Sequence, residues 1–281
     1  MFFESQMQIS LLASTPDVST TGYMVNLLLG RPEAVAAEAK ALGYDGIELL
    51  PGAPGTVGVA DIERALKRFD VALTAVNSGR IVAQGLTLLH PAPAVRARAL
   101  ARFKDLLDLA GHFGVPVTLA GAKGMVPAGD SLETAGTLAE EILGGLAEFG
   151  AASGSKLLLT PTDDADSNFI CSVAEAVAWV RRLDHPGFGL MLDTHQLLKK
   201  EPSVVEGIRA AAGLLSHLHL YDPGRVPPGT SEKAGLDWSA LMAALQDIQY
   251  DGAASVSLAP TGDRIALAIK TVSYLRSVGA R

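Results

Sequence analysis

The run "SHLHLYDPGR" (216–225) sets two imidazoles, a carboxylate and a guanidinium close together. His217 and His219 alternate with leucines, so in a strand they share one face. Imidazole nitrogens ligate divalent ions or move protons near neutral pH. An aspartate ends "FGLMLD" (188–193), and "GIELLP" (46–51) carries Glu48 among apolar residues. A carboxylate beside an imidazole can orient it, charge it or share a metal with it. Arg225 is a planar fork suited to a carboxylate, a phosphate or sugar hydroxyls. "GAKG" (121–124) brings Lys123 within reach of an anion, and "NSGR" (77–80) offers Asn77 or Arg80 to a ligand. "PTDDADSN" (161–168) reads as turn chemistry with Asp163, Asp164 and Asp166 as solvated loop acids, the alternative being replacement carboxylates at a site.

These groups need elements to bring them together. Eight short apolar runs alternate with amphipathic helical patterns: "QISLLAS" (8–14), "GIELLP" (46–51), "ALTAVNS" (72–78), "PVTLAG" (116–121), "KLLLTP" (156–161), "FGLMLD" (188–193), "LSHLHLYD" (215–222) and "GAASVSLA" (252–259). The clearest helix spans 94–113, where Ala99, Leu100, Phe103, Leu106, Leu107, Ala110 and Phe113 recur at three- and four-residue steps. Pro32 suits a first helical turn closed by Gly43, and Ser172 with Glu175 has capping-box spacing. Eight such units in 281 residues predict one α/β domain over 1–281, a closed (β/α)8 TIM barrel. A doubly wound sheet would carry a glycine fingerprint after its first strand, and no nucleotide cofactor is expected. Strand parity turns Glu48, Thr160, Asp193, His219 and Ser257 to the interior near the C-terminal mouth, where barrel active sites lie. His217 sits one layer deeper as support.

Composition narrows the partners. A net charge of −7 with scattered basic residues opposes a polyanion, so nucleic acid is not expected. No apolar run approaches the roughly 20 residues that span a bilayer, and the start of the chain lacks a signal-peptide pattern, which predicts a cytoplasmic protein without membrane contact. The single Cys171 can form neither an internal disulfide nor a cysteine metal cluster and is expected to be packed. A homo-oligomer stays open.

"LGYDGIEL" (42–49), "RARALARFKDLLDLAGHFGVPV" (96–117), "LMLDTH" (190–195), "HLHLYDPGRVPPG" (217–229) and "GLDWSALMAALQDIQYDG" (235–252), in this order and spacing, resemble the xylose isomerase-like TIM-barrel superfamily, particularly its sugar-phosphate isomerase and keto-sugar 3-epimerase branch. The resemblance implies a carbohydrate ligand and a divalent ion such as manganese, magnesium, cobalt or zinc. That ion would be held by Glu, Asp, His and Glu on barrel strands five to eight, with the two glutamates also moving the substrate proton. By this mapping Asp193 and His219 match two metal ligands, and Arg225 matches the substrate-contacting arginine. Thr160 and Ser257 stand where the glutamates belong, and His195 lies one place before the family's usual histidine position, here Gln196. Three carboxylates become one, so the formal ligand charge falls from about −3 to about −1 and the hold on a dication weakens.

The sequence therefore favours a sugar isomerase or epimerase acting on a small sugar, sugar phosphate or polyol, with its metal site degraded or rebuilt. His219, Asp193 and Glu48 are the catalytic candidates. Arg225, Lys123, His195, Thr160 and Ser257 are the substrate-binding candidates. A non-catalytic sugar-binding or partner-subunit relative, or a lyase or dehydratase on the same barrel, are the alternatives.

Overall fold

A computed structural model describes residues 7–18, 26–231, 236–259 and 262–280. Residue 235, the first of the last family-like block, lies outside them. All strand pairings are parallel: β1 (Gln8–Ser14), β3 (Gly46–Leu50), β4 (Ala72–Val76), β5 (Val117–Thr118), β6 (Leu157–Leu159), β7 (Phe188–Asp193), β8 (Leu215–His219) and β9 (Ala253–Val256) follow in order, and β9 pairs back onto β1. This is the expected closed (β/α)8 barrel. A further short strand, β2 (Leu28–Leu29), adds to the outer end of β1.

Each apolar run became a strand, usually shorter than the run because its last residues turn over the mouth. "PVTLAG" keeps only Val117–Thr118 in the sheet before a 3-10 turn over Ala120–Lys123. Helices cover the outside. The 94–113 pattern is α4 (Pro93–Gly111), with Pro93 in its first turn and Ala99, Phe103, Leu106, Leu107 and Ala110 buried against the sheet. Ser172 and Glu175 form the expected capping box on α6 (Val173–Leu183).

Parity divides the strands, apart from register irregularities of β3 against β4 at Ile47/Glu48 and of β7 against β8 at Leu190/Met191. Ile9 and Leu11 of β1, Ile47 and Leu49 of β3, and Leu218 of β8 belong to the apolar layer between sheet and helices. The opposite faces fill the barrel interior, whose middle layer is polar and linked by hydrogen bonds, with His217 Nδ1 left without a partner among the described residues. Thr74 donates to Ser10 Oγ (2.8 Å), Ser10 Oγ meets Ser255 Oγ (2.7 Å), and Ser255 Oγ meets His217 Nε2 (2.9 Å). Gly46 lets the layer close, since a Cβ there would come within 2.7 Å of Thr74 Cγ2. No helix of the described residues is long and apolar enough to cross a membrane.

Candidate active site

Glu48 projects from β3 into the interior with no exposed surface, and its carboxylate gathers both histidines of β8. His217 Nε2 lies 2.9 Å from Oε2, and His219 Nε2 lies 3.0 Å from Oε1 and 2.8 Å from Oε2. Asn77, at the end of β4, donates to Oε1 at 2.6 Å. On the other side of His219, Nδ1 faces Asp193 Oδ2 at 3.6 Å. Asp193 ends β7 and caps the short helix α7 (Thr194–Lys200), its Oδ1 accepting from the amides of His195 and Gln196. Tyr221 donates its hydroxyl to Oδ2 at 2.6 Å.

The charges follow from these contacts. Burial works against charge on every member. For His219 burial is outweighed by the Glu48 and Asp193 carboxylates, which raise its pKa to about 10. For Glu48 burial is outweighed by His219 and then His217, holding the carboxyl well below its ordinary range. Asp193 is lowered against burial by the same His219 and by Tyr221. The floor is thus an imidazolium between two carboxylates.

Above it opens a cavity of about 360 Å³ whose lining includes the polar Thr160, Asp193, His219, Ser257, Arg225 and Asn26 and the apolar Leu12, Val82, Leu119 and Met191. Arg225 Nη2 donates to Ser257 Oγ (2.7 Å) and to Asn26 Oδ1 (2.8 Å), so one hydroxyl and one amide oxygen hold the guanidinium at the wall. Arg225 itself has φ of 58°. Its loop is tied down by the buried Asp222, which accepts from the amides of Thr230 and Ser231 and from Trp238 Nε1. Thr160 Oγ1 is buried on the cavity wall with no hydrogen-bond partner.

The expected site residues therefore separate. Asp193, His219, Arg225, Thr160 and Ser257 meet around one cavity. Glu48 does not reach it and lies beneath, behind His219. Lys123 does not line it either: the strained turn, with Ala120 at φ of 40°, rotates the ammonium inward to the Thr160 carbonyl (3.1 Å) and Thr162 Oγ1 (2.6 Å). His195 is carried away by the first turn of α7, stacks at a tilt on Tyr221 and leaves the wall to Gln196. Of the loop acids, Asp163 pairs with Lys199 and Asp164 with Lys200, but Asp166 stands on the cavity rim and accepts from Gln196 Nε2 at 3.0 Å. Asn26 and Tyr221 were not singled out as site residues by sequence, and Asp166 was named there only under the alternative of a replacement carboxylate. Of those two, Tyr221, on the strand run after His219, carried a readable parity signal.

Whether these residues suit a divalent ion depends on the donors. Glu48, His217 and His219 have ligand atoms mutually within 4.8 Å, a set that could hold an ion. With Glu48 and His217 wholly buried, that position offers no open coordination site to a substrate. At the cavity, Asp193 Oδ2 and His219 Nδ1 are joined by the alcohols of Thr160 and Ser257, with the Asp166 carboxylate on the rim, and Ser257 already accepts from a guanidinium. With alcohols at the Thr160 and Ser257 positions, this donor set carries less negative charge than one with glutamates there.

A family model described as "Xylose isomerase-like TIM barrel" matches residues 36–278. D-psicose 3-epimerase of Agrobacterium fabrum is 28% identical over 223 residues, covering 75% of this chain and 74% of that protein. L-ribulose 3-epimerase of Methylomonas sp. strain DH-1 is 27% identical over 225 residues, covering 79% and 76%. Among solved structures, apo 3-keto-D-glucoside 4-epimerase from E. coli superposes with a TM-score of 0.79 at 18% identity over 97% of this chain and 100% of that one. D-allulose 3-epimerase from Methylomonas sp. in complex with D-allulose gives 0.76 at 18% identity over 99% of each. The structural likenesses carry the fold.

Proposed function

The chain belongs to the xylose isomerase-like TIM barrel family, and from that membership we propose that it is a sugar epimerase or isomerase acting beside the carbonyl of a small keto sugar. One observation carries the reading: His219, bracketed by Glu48 and Asp193, faces a sugar-sized cavity beside Arg225. Support also comes from the ketose 3-epimerases among its relatives.

In this reading His219 holds a proton at the substrate's carbonyl oxygen and stabilises the enediolate that forms when the adjacent carbon loses its own. Asp193 orients the ring. Glu48 acts through His219 and is a positioning residue, without touching substrate. Arg225, Ser257 and Thr160 bind hydroxyls, and Asp166 and Asp193 are the cavity carboxylates that would take the carbon-bound proton. Any divalent ion would be held weakly, by Asp193 and His219. We further read the chain as one cytoplasmic barrel domain.

The neutral pair Thr160 and Ser257 favours one second reading, sugar binding without turnover. A panel of ketoses and 3-keto sugars incubated in D2O, with manganese and separately with a chelator, decides between them. Deuterium entering the carbon beside the carbonyl is the expected result. Tight binding with no exchange in either condition supports the second reading, and neither binding nor exchange overturns both.

A further inference from the structure

Lys123 is 2% exposed, yet its ammonium is held by neutral oxygens alone: the Thr160 carbonyl (3.1 Å), Thr162 Oγ1 (2.6 Å) and the Ala120 carbonyl (3.5 Å). Burying a lysine without a carboxylate partner is unfavourable, so the geometry around it is informative. The turn that carries it is locked from outside. Leu88 and Leu89 donate their amides to the Ala122 and Lys123 carbonyls, and Gly124, at φ of 89°, packs so closely on Thr87 that a Cβ would lie 2.8 Å from it. Two walls of the cavity meet at this lysine. Ala120 and Gly121 line it from one side, Thr160, Thr162 and Asp166 from the other.

We propose that Lys123 is a positioning residue: its ammonium clamps the end of β6 to the 120–123 turn and so aims the unpartnered Thr160 hydroxyl at the bound ligand. This rests on the reading of the cavity as a sugar site. The bond to the Thr160 carbonyl fixes that residue's backbone, and the hydroxyl, without a partner among the described residues and with almost no exposed surface, is a group that a ligand oxygen reaching the wall would satisfy. Removing the clamp leaves two buried acceptors without donors and frees the segment that carries Asp166. The clamp also has a pH limit. Burial lowers the ammonium to about 8, against the attraction of Cys171, Asp166, Asp163 and Glu175, the ionisable groups that face it.

Lys123→Met, which keeps the length and removes the charge, and Thr160→Val, which removes only the hydroxyl, separate clamp from contact. Hydrogen exchange in the unliganded Lys123→Met protein should rise about tenfold across 157–171, with the other barrel strands unchanged. For a keto sugar bound or turned over by the wild type, Kd or KM should rise about tenfold with kcat nearly constant. Thr160→Val should reproduce the weaker binding without the faster exchange. Wild-type protection across 157–171, corrected for intrinsic rates, should fall as pH rises past about 8 towards the Lys123→Met level, where the variant itself is flat. Exchange rising uniformly around the barrel, or affinity unchanged in a folded Lys123→Met protein, overturns the proposal. If that variant does not fold, flat wild-type protection through this pH range, or unchanged binding in Thr160→Val, overturns it instead. A wild type that binds no keto sugar defeats the sugar-site reading alone, and the exchange comparison still decides the clamp.

Discussion

Glu48 holds His219 through both of its oxygens, Nε2 lying 3.0 Å from Oε1 and 2.8 Å from Oε2, with neither partner more than slightly exposed. Replacing Glu48 with Gln leaves a charged imidazole with one counter-ion and puts an amide against two histidines. We expect a loss of roughly 3 kcal/mol in unfolding free energy, measured by urea titration at neutral pH. A loss within error would mean that the pair contributes nothing net.

The same contact sets a pH window. His219 rises from an ordinary 6.5 to about 10 in the folded chain, so the folded state binds its proton more tightly than the unfolded one. Its contribution is complete below about pH 6.5 and is lost as pH climbs through the folded value near 10. The stability gap between wild type and His219→Asn should therefore narrow over that interval. A gap that is constant, or widens, contradicts the assigned charge.

Restoring the family's acids tests the metal argument. Thr160→Glu with Ser257→Glu should raise manganese affinity by about 100-fold over the wild type in calorimetry. Because Arg225 bonds Ser257 Oγ, the second substitution alone should form an ion pair and gain less. Equal affinity in the double variant and the wild type would show that these two side chains do not face a common point.

Asp222 supports the binding loop from below. Its carboxylate takes three donors, so Asp222→Ala should cost roughly 3 kcal/mol and loosen the turn that presents Arg225. Sugar affinity should fall with it, read by fluorescence or calorimetry. Retained affinity would show that the arginine holds its place without the loop.

Much of this was legible in the sequence because a strand admits two faces and no more. The alternation in "SHLHL" places both histidines inward, and the same rule sends Glu48, Asp193, Thr160 and Ser257 to the interior side of the barrel. The rule does not give depth. Glu48 lies under the mouth, since β3 is set against β1 and β4 in a register that only pairing partners fix. It also lapses where the strand ends. Lys123 turns inward because Ala120 adopts a conformation that alanine does not advertise, and Asp166 reaches the rim because two neighbouring acids are drawn off by Lys199 and Lys200. Asn26 enters the site through Arg225, a contact spanning most of the chain, for which local pattern offers no signal.

The bonded interior layer, Thr74 to Ser10 to Ser255 to His217 and on to Glu48, has a consequence for how this barrel can change. Durability and reactivity draw on one set of atoms, so the middle of the protein is no inert plug that can be refilled at will. An apolar replacement at Ser255 would leave His217 Nε2 to Glu48 alone and, through Glu48, shift the poise of the imidazole at the mouth. Any route to a new chemistry that keeps this wire must travel through the loops, while any route that cuts it must rebuild the whole relay at once.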